Sequence, residues 1–220
     1  MTKLVLAITA ITALTAFAGV SAASAAQYKS SSSPVNLTGS QASKQVWTVD
    51  GQSASCTEAT FTKNGLATPA NEVLGVVPSY SSCTTFGFGG GSVNMGTCTY
   101  NFDTPNAGLT ANSDIACGSN TGGNGTIESG NGPIILIMMV FGGECVVQIA
   151  SQKDKGTLTF VNNSPVTGDI LVKAAFSGLT AVKTVDNGFC PLSGTGTVNN
   201  VTYSGEFGVT GPAGVNLEVG

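Results

Sequence analysis

The stretch that decides the fold class reads Gly132-Pro133-Ile134-Ile135-Leu136-Ile137-Met138-Met139-Val140-Phe141-Gly142-Gly143. Its apolar part is continuous rather than alternating, and Gly and Pro bound it at a length that suits a β-strand. A membrane-spanning helix needs roughly 20 apolar residues, which is more than this run offers. The stretch therefore predicts the central strand of a core, buried on both faces.

A second strand is predicted directly after this stretch. In residues 143–149 the side chains of Cys145, Val147 and Ile149 share one face, because successive residues of a strand point to opposite sides. The same order of Gly, Cys and two alternate apolar residues recurs at 96–102, around Cys98. The repeated phrase predicts two strands in related positions, either in one sheet or in two halves of the molecule.

Turn signals separate the remaining apolar runs. Asp50-Gly51 and Asn187-Gly188 tolerate the positive φ angles of tight hairpin turns. Because no segment after residue 26 shows a helical period of 3.6 residues, the pattern predicts an all-β protein of about ten short antiparallel strands. We expect a disulfide-stapled β-sandwich or jelly-roll-like domain over residues 44–220, with two subdomains as the alternative.

The N-terminus has the three zones of a secretory signal peptide. Lys3 precedes an apolar segment, which ends in the small residues Ser21-Ala22-Ala23-Ser24-Ala25-Ala26. We therefore predict a signal peptide over 1–26 and a flexible polar leader over 27–43. The mature protein would be secreted, extracellular or at the cell surface, without an integral membrane span.

The six cysteines are even in number and all follow the predicted signal peptide. In an exported chain they predict three disulfides, for which fifteen connectivities exist. The sequential pairing is mildly favoured over the others. Zinc is the competing interpretation, but the chain contains no histidine and no closely spaced cysteine pair. The cysteines are Cys56, Cys83, Cys98, Cys117, Cys145 and Cys190.

The charge of the chain argues against nucleic acid as a partner. Only 9% of the residues are charged, and the eight basic residues are all Lys. Without Lys3 the mature chain carries seven Lys against twelve acidic residues, which is a net charge of −5. Phosphate recognition depends on clustered Lys and Arg, and no such cluster exists. A surface rich in Ser, Thr, Asn and Gly is expected instead.

Catalytic groups are scarce. Without histidine, Ser-His-Asp and Cys-His catalysis are impossible, so the chain predicts no enzyme, no catalytic residues and no cofactor. A carboxylate-dependent hydrolase is the remote alternative, because paired acids can hydrolyse glycosides. Its candidate residues are Glu58, Asp114, Glu128 and Glu144.

Metal binding is limited to one weak possibility. Asp103, Asp114 and nearby Asn side chains could offer calcium the hard oxygen ligands that it prefers. No metal ligand is assigned on this basis, and whether calcium binds is left open.

Five cysteine-centred phrases resemble a group of uncharacterised exported bacterial proteins, many of them from actinobacteria. They are Ser-Cys56-Thr, Ser-Cys83-Thr-Thr-Phe, Gly-x-Cys98-Thr-Tyr-x-Phe, Ile-x-Cys117 and Gly-x-Cys145-Val-Val-x-Ile. The resemblance spans roughly residues 44 to 210. It implies a secreted bacterial β-protein and carries over no functional residue, because the group has no established activity.

Two functional hypotheses follow from these features. The first is a non-enzymatic secreted or cell-surface protein that is structural, adhesive or self-associating, because low charge and exposed strand edges favour lateral association. The second is a secreted binding module for a glycan or an apolar small molecule, which would use the loop 118–132 or the segment Phe86-Gly87-Phe88. Possible partners are thus further copies of the chain or components of the cell envelope.

Overall fold

The chain folds entirely into β-strands and their connections wherever the structure describes it. The computed structural model describes residues 25–85, 89–118, 133–140, 143–164, 170–186, 190, 192 and 196–220. In these ranges no helix is long and apolar enough to cross a membrane. The strands are β1 (Tyr28–Ser30), β2 (Val35–Gln41), β3 (Gln45–Val49), β4 (Gln52–Leu66), β5 (Val73–Thr85), β6 (Gly89–Asn94), β7 (Cys98–Phe102), β8 (Thr110–Cys117), β9 (Ile134–Val140), β10 (Gly143–Ile149), β11 (Gln152–Asn162), β12 (Ile170–Asp186), β13 (Gly196–Thr210) and β14 (Leu217–Val219).

Twelve of these strands form one antiparallel sheet that closes on itself. Its order is β10-β9-β6-β5-β7-β8-β11-β12-β13-β2-β4-β3, with additional pairings of β10 with β12, β5 with β4, and β13 with β3. These pairings define two closed rings of strands. The first ring runs β4-β5-β7-β8-β11-β12-β13-β2, and the second ring runs β4-β5-β6-β9-β10-β12-β13-β3.

Four long strands, β4, β5, β12 and β13, belong to both rings. β12, for example, pairs with β11 through Ile170–Phe176 and with β10 through Val182–Asp186. Likewise, β13 pairs with β2 near its C-terminal end and with β3 nearer its middle. Because every strand of the large sheet pairs on two sides, none of them has the wholly unpaired edge that favours association between sheets.

The all-β class, the antiparallel sheet and the three disulfides are confirmed. The disulfides join Cys56 to Cys83, Cys98 to Cys117 and Cys145 to Cys190, which is the sequential pairing. Cys56 and Cys83 are register partners on β4 and β5, and Cys98 and Cys117 are register partners on β7 and β8. Three disulfides are consistent with an oxidising, extracellular environment.

The N-terminal prediction needs a correction. Residues 27–43, expected to be a flexible leader, contain β1 and β2. β2 is a wall strand of the first ring, and Tyr28 of β1 pairs with Val219 at the far end of the chain. The segment is polar overall, but Val35 is buried and Leu37 is half-buried. Most of the predicted signal peptide, residues 1–24, lies outside the described residues.

The strand predicted to be central and buried on both faces, β9, also differs from the prediction. β9 lies in the wall of the second ring between β6 and β10. Ile134, Leu136 and Met138 are fully buried, but Ile135 and Ile137 are half-buried and Met139 is 52% exposed. Thus only one face of β9 faces the core. The four shared strands organise the fold instead, and along most of their length buried residues alternate with exposed or half-buried ones.

A buried cluster of aromatic and polar side chains lies inside the sheet. Tyr80, Tyr100 and Tyr203 come from β5, β7 and β13, and the Tyr80 and Tyr100 hydroxyls are 2.8 Å apart. The Tyr203 hydroxyl donates a hydrogen bond to the Oε1 atom of Gln45, which is fully buried. The Nε2 atom of Gln45 donates in turn to the Ser43 carbonyl oxygen at 2.8 Å. We call Gln45 and the three tyrosines the tyrosine cluster.

The only Trp of the chain packs on this cluster. The rings of Trp47 and Tyr203 have centroids 4.6 Å apart, and Trp47 is fully buried. Trp47 belongs to the second ring through β3, whereas Tyr100 belongs to the first ring through β7. The tyrosine cluster therefore packs side chains from both rings against one another, and Trp47 is the core anchor that its position suggests.

Candidate functional site

The first ring is covered at one end by a separate sheet of two strands, β1 and β14. Tyr28, Lys29 and Ser30 pair with Val219, Glu218 and Leu217. Tyr28, Leu217 and Val219 are buried, whereas Lys29 and Glu218 are exposed, so the small sheet has an inner apolar face and an outer charged face. We call this pair of strands the lid.

Polar contacts hold the lid at both of its edges. On the β1 edge, the Tyr28 and Ala70 backbones exchange two hydrogen bonds of 2.8 and 2.9 Å. On the β14 edge, the side-chain amide of Asn162 donates to the Val219 carbonyl oxygen at 2.7 Å and accepts from the Val219 amide at 2.9 Å. The Asn162 side chain thus replaces a neighbouring strand for β14.

Under the lid lies an apolar cavity of about 60 Å³. Residues of the lid and of the first ring line it, including the stacked rings of Phe61 and Phe207, whose centroids are 4.1 Å apart. Phe61 also contacts Tyr80, so the cavity adjoins the tyrosine cluster. Further lining residues are Tyr28, Val35, Leu37, Phe102, Phe160, Val172, Val209, Leu217 and Val219.

Lys63 is a cation on the inner face of the first ring, where it lines the cavity. Lys63 is two residues after buried Phe61 on β4 and is the register partner of Leu37 on β2. Directly paired residues of antiparallel strands share a face, so Lys63 points to the same side as Phe61 and Leu37. Lys63 is half-buried, and no ion pair or hydrogen bond joins its ammonium group to another described residue.

A cluster of three carboxylates lies beside the lid, in the wall of the first ring. Asp103 follows β7, Asp114 lies on β8 and Asp154 lies on β11, and these strands are neighbours in the sheet. One carboxylate oxygen of each residue lies within 4.8 Å of the others. The backbone amide of Asp154 donates to Asp114 Oδ1 at 2.7 Å, and the Tyr28 hydroxyl donates to the Asp103 carbonyl oxygen at 2.9 Å.

The surroundings of this cluster disfavour the ionised form of Asp103. Partial burial, followed by the charges of Asp114 and Asp154, raises the pKa of Asp103 above its usual value. The oxygen atoms are of the kind that calcium takes. Exposed acidic groups also occur together without an ion, so the cluster by itself assigns no metal.

Sequence reasoning predicted Asp103 and Asp114 as neighbours and missed Asp154. Asp154 lies where the register of β11 against β8 shifts, and its φ angle is +52°. Such a bulge aims a side chain in a direction that simple alternation does not give. Asp154 lies in the charged run Lys153-Asp154-Lys155 within β11, and such a run does not reveal a bulge in a single sequence.

The carboxylates proposed for a hydrolase are spread over the molecule. Glu58 is exposed on β4, where a hydrogen bond from the Ser81 hydroxyl lowers its pKa. Glu144 is half-buried on β10, and Asp114 lies in the cluster described above. Glu128 is outside the described residues, as are 119–132 of the predicted binding loop and the segment 86–88.

The cavity itself was not predicted. Its lining comes from both strands of the lid and from seven strands of the first ring, which are far apart in the sequence, so no local pattern marks it. No protein-family model, curated protein or solved structure matches the chain.

Proposed function

We propose that this protein is a non-enzymatic, secreted binding module that takes an apolar ligand into the cavity under the lid. The cavity carries the proposal: five aromatic residues and a set of aliphatic side chains surround a space that they leave unfilled. Protein interiors are otherwise packed to the density of organic crystals. An apolar ligand would gain the contacts that these side chains lack.

The size of the cavity narrows the class of ligand. Sites for small molecules usually measure about 300–1,000 Å³, whereas this cavity measures about 60 Å³. The space suits the end of a narrow hydrocarbon chain better than a sugar ring. A longer chain would require the lid to move outward, and only a few hydrogen bonds hold the lid at each edge.

The predicted role in self-association receives less support from these observations. That hypothesis relied on exposed strand edges, but each strand of the large sheet has partners on both sides. The edges of the lid are bonded to Ala70 and to the Asn162 side chain. Association between copies would therefore need a surface other than a strand edge.

Calorimetric titration of the disulfide-bonded protein with 1-octanol tests the proposal. Val209→Phe adds a ring at a half-buried cavity position, and Val161→Phe makes the same change at a position 40% exposed and away from the cavity. We expect the dissociation constant to rise at least about tenfold in Val209→Phe, because the added ring competes for the cavity.

The Val161→Phe control should bind 1-octanol like the unmodified protein. Thermal unfolding of both variants checks that they are folded at the titration temperature. Equal affinity of Val209→Phe and Val161→Phe, or no binding by the unmodified protein, would refute the proposed function.

A further inference from the structure

A charged side chain, that of Lys63, lines the cavity, and a purely apolar ligand would leave its charge unpaired. Lys63 lines the cavity together with Phe61 and Leu37, on the inner face of β4 and β2. Lys63 is half-buried as a residue, and its ammonium group has no bonded partner among the described residues. Removal of a charge from water is unfavourable unless an opposite charge or hydrogen bonds compensate it.

The other charged residues of this cavity lie on the opposite face of the lid. Lys29 and Glu218 are exposed register partners of β1 and β14, and the neighbours of each along the strand turn inward. Lys63 is therefore the cation of this group that shares a face with the apolar lining. The arrangement places one positive charge beside a hydrocarbon-lined space.

We infer that the ligand is an amphipathic carboxylate, whose hydrocarbon tail occupies the cavity and whose carboxylate pairs with the Lys63 ammonium group. This inference rests on the proposed function and adds the class of head group. An ammonium and a carboxylate form a charge-assisted hydrogen bond, which is stronger than one between neutral groups. The tail supplies affinity through burial of apolar surface, and the head group fixes its direction.

Two probes with equal tails and different head groups test the inference. Octanoate and 1-octanol are titrated into the unmodified disulfide-bonded protein and into Lys63→Met, which keeps the apolar stem and loses the charge. Lys44→Met is the control, because Lys44 is exposed and does not line the cavity. We expect the dissociation constant of octanoate to rise about five- to tenfold in Lys63→Met.

The same variant should change the affinity for 1-octanol less than about twofold, and Lys44→Met should leave both affinities unchanged. If Lys63→Met left octanoate binding unaltered, or if Lys44→Met weakened it equally, the carboxylate assignment would be overturned while apolar binding stood. If neither probe bound to the unmodified protein, the proposed function would fail together with the inference.

Discussion

Two adjoining regions of the core differ in how their buried side chains pack. In the tyrosine cluster every polar side chain finds a partner: Gln45 accepts from Tyr203 and donates to the carbonyl oxygens of Ser43 and Glu206. Under the lid the side chains are apolar, and they leave about 60 Å³ unfilled. A satisfied polar network specifies one arrangement, whereas an apolar cavity tolerates several contents. The cavity is therefore the region of this core in which we propose that another molecule binds.

One added carbon atom should distinguish the two regions most strongly. A Cβ atom on Gly205 would lie 1.9 Å from the Oε1 atom of Gln45, which is fully buried and fixed by three hydrogen bonds. Gly205→Ala must therefore displace Gln45, and we expect it to lower the free energy of unfolding by about 2–4 kcal/mol. Denaturant unfolding of the disulfide-bonded protein measures this loss.

Val172→Ile is the matched change in the region under the lid, because Val172 is buried and lines the cavity. Its added methyl group enters free space, so the free energy of unfolding should change by less than about 1 kcal/mol. A similar cost for both variants would remove the distinction between a filled and an unfilled region.

An intermediate effect is expected where the lid is attached. Asn162→Ala removes both hydrogen bonds that the side chain makes with Val219. Hydrogen bonds of this kind contribute about 1 kcal/mol each. We therefore expect the free energy of local unfolding of the lid to fall by about 1–2 kcal/mol, with no change in the rest of the sheet. Hydrogen exchange measures this loss: the β14 amides should exchange faster, whereas those of β12 and β13 should not.

The exposed residue Asn199 provides the control for this experiment, as Asn199→Ala. Uniformly faster exchange in Asn162→Ala would mean that the lid is an integral part of the core rather than a separately attached cover.

The smallest effect concerns the acidic cluster beside the lid. The folded protein raises the pKa of Asp103, so ionised Asp103 destabilises the fold, and stability falls as the pH rises through this pKa. Asp103→Asn should therefore unfold at a higher temperature than the unmodified protein at pH 7. The gain in the free energy of unfolding should be less than about 1 kcal/mol. The difference should vanish at a pH below the usual carboxyl pKa.

Calcium gives this experiment a second outcome. If the cluster binds calcium, the ion should stabilise the unmodified protein more than Asp103→Asn, because the variant has one negatively charged carboxylate fewer. If Asp103→Asn is less stable than the unmodified protein at pH 7 without calcium, then burial and the neighbouring carboxylates do not make the charge of Asp103 destabilising.

Local features of the fold were predictable from the sequence, and closure of the sheet was not. The Asp50-Gly51 turn joins β3 to β4 with φ angles of +51° and +76°, as its residue types indicate. Cys98, Tyr100 and Phe102 all face the core, as the alternation predicts. These features depend on a few consecutive residues, so their patterns are visible in a single sequence.

The errors concern pairings between distant residues. β1 pairs with β14, and β2 pairs with β13, so the first strands depend on residues near the C-terminus. No short-range pattern reveals such partners, and the polar segment 27–43 was therefore predicted to be flexible. The apolar run of β9 was misleading for a related reason. The second face of β9 is only partly covered, and the residues that cover a strand face cannot be identified from the strand's own sequence.

The candidate site combines both kinds of feature. Asp103 and Asp114 were predictable because β7 and β8 are consecutive strands, whereas Asp154 depends on a bulge in β11. The cavity requires the full pairing of the first ring and the lid. Lys63 had no distinguishing pattern in the sequence, since its importance arises only from Leu37 opposite and from the apolar lining around it.

We propose that an apolar ligand occupies the space under the lid, and methyl-detected nuclear magnetic resonance during titration with 1-octanol tests this proposal at the level of single residues. We predict saturable shifts of the Val35, Val172 and Val219 methyl signals, because these residues line the cavity. The signals of Leu136 and Val147, which are buried in the second ring, should stay in place. Shifts confined to the second ring, or no shift at any of the five residues at saturating 1-octanol, would contradict the account.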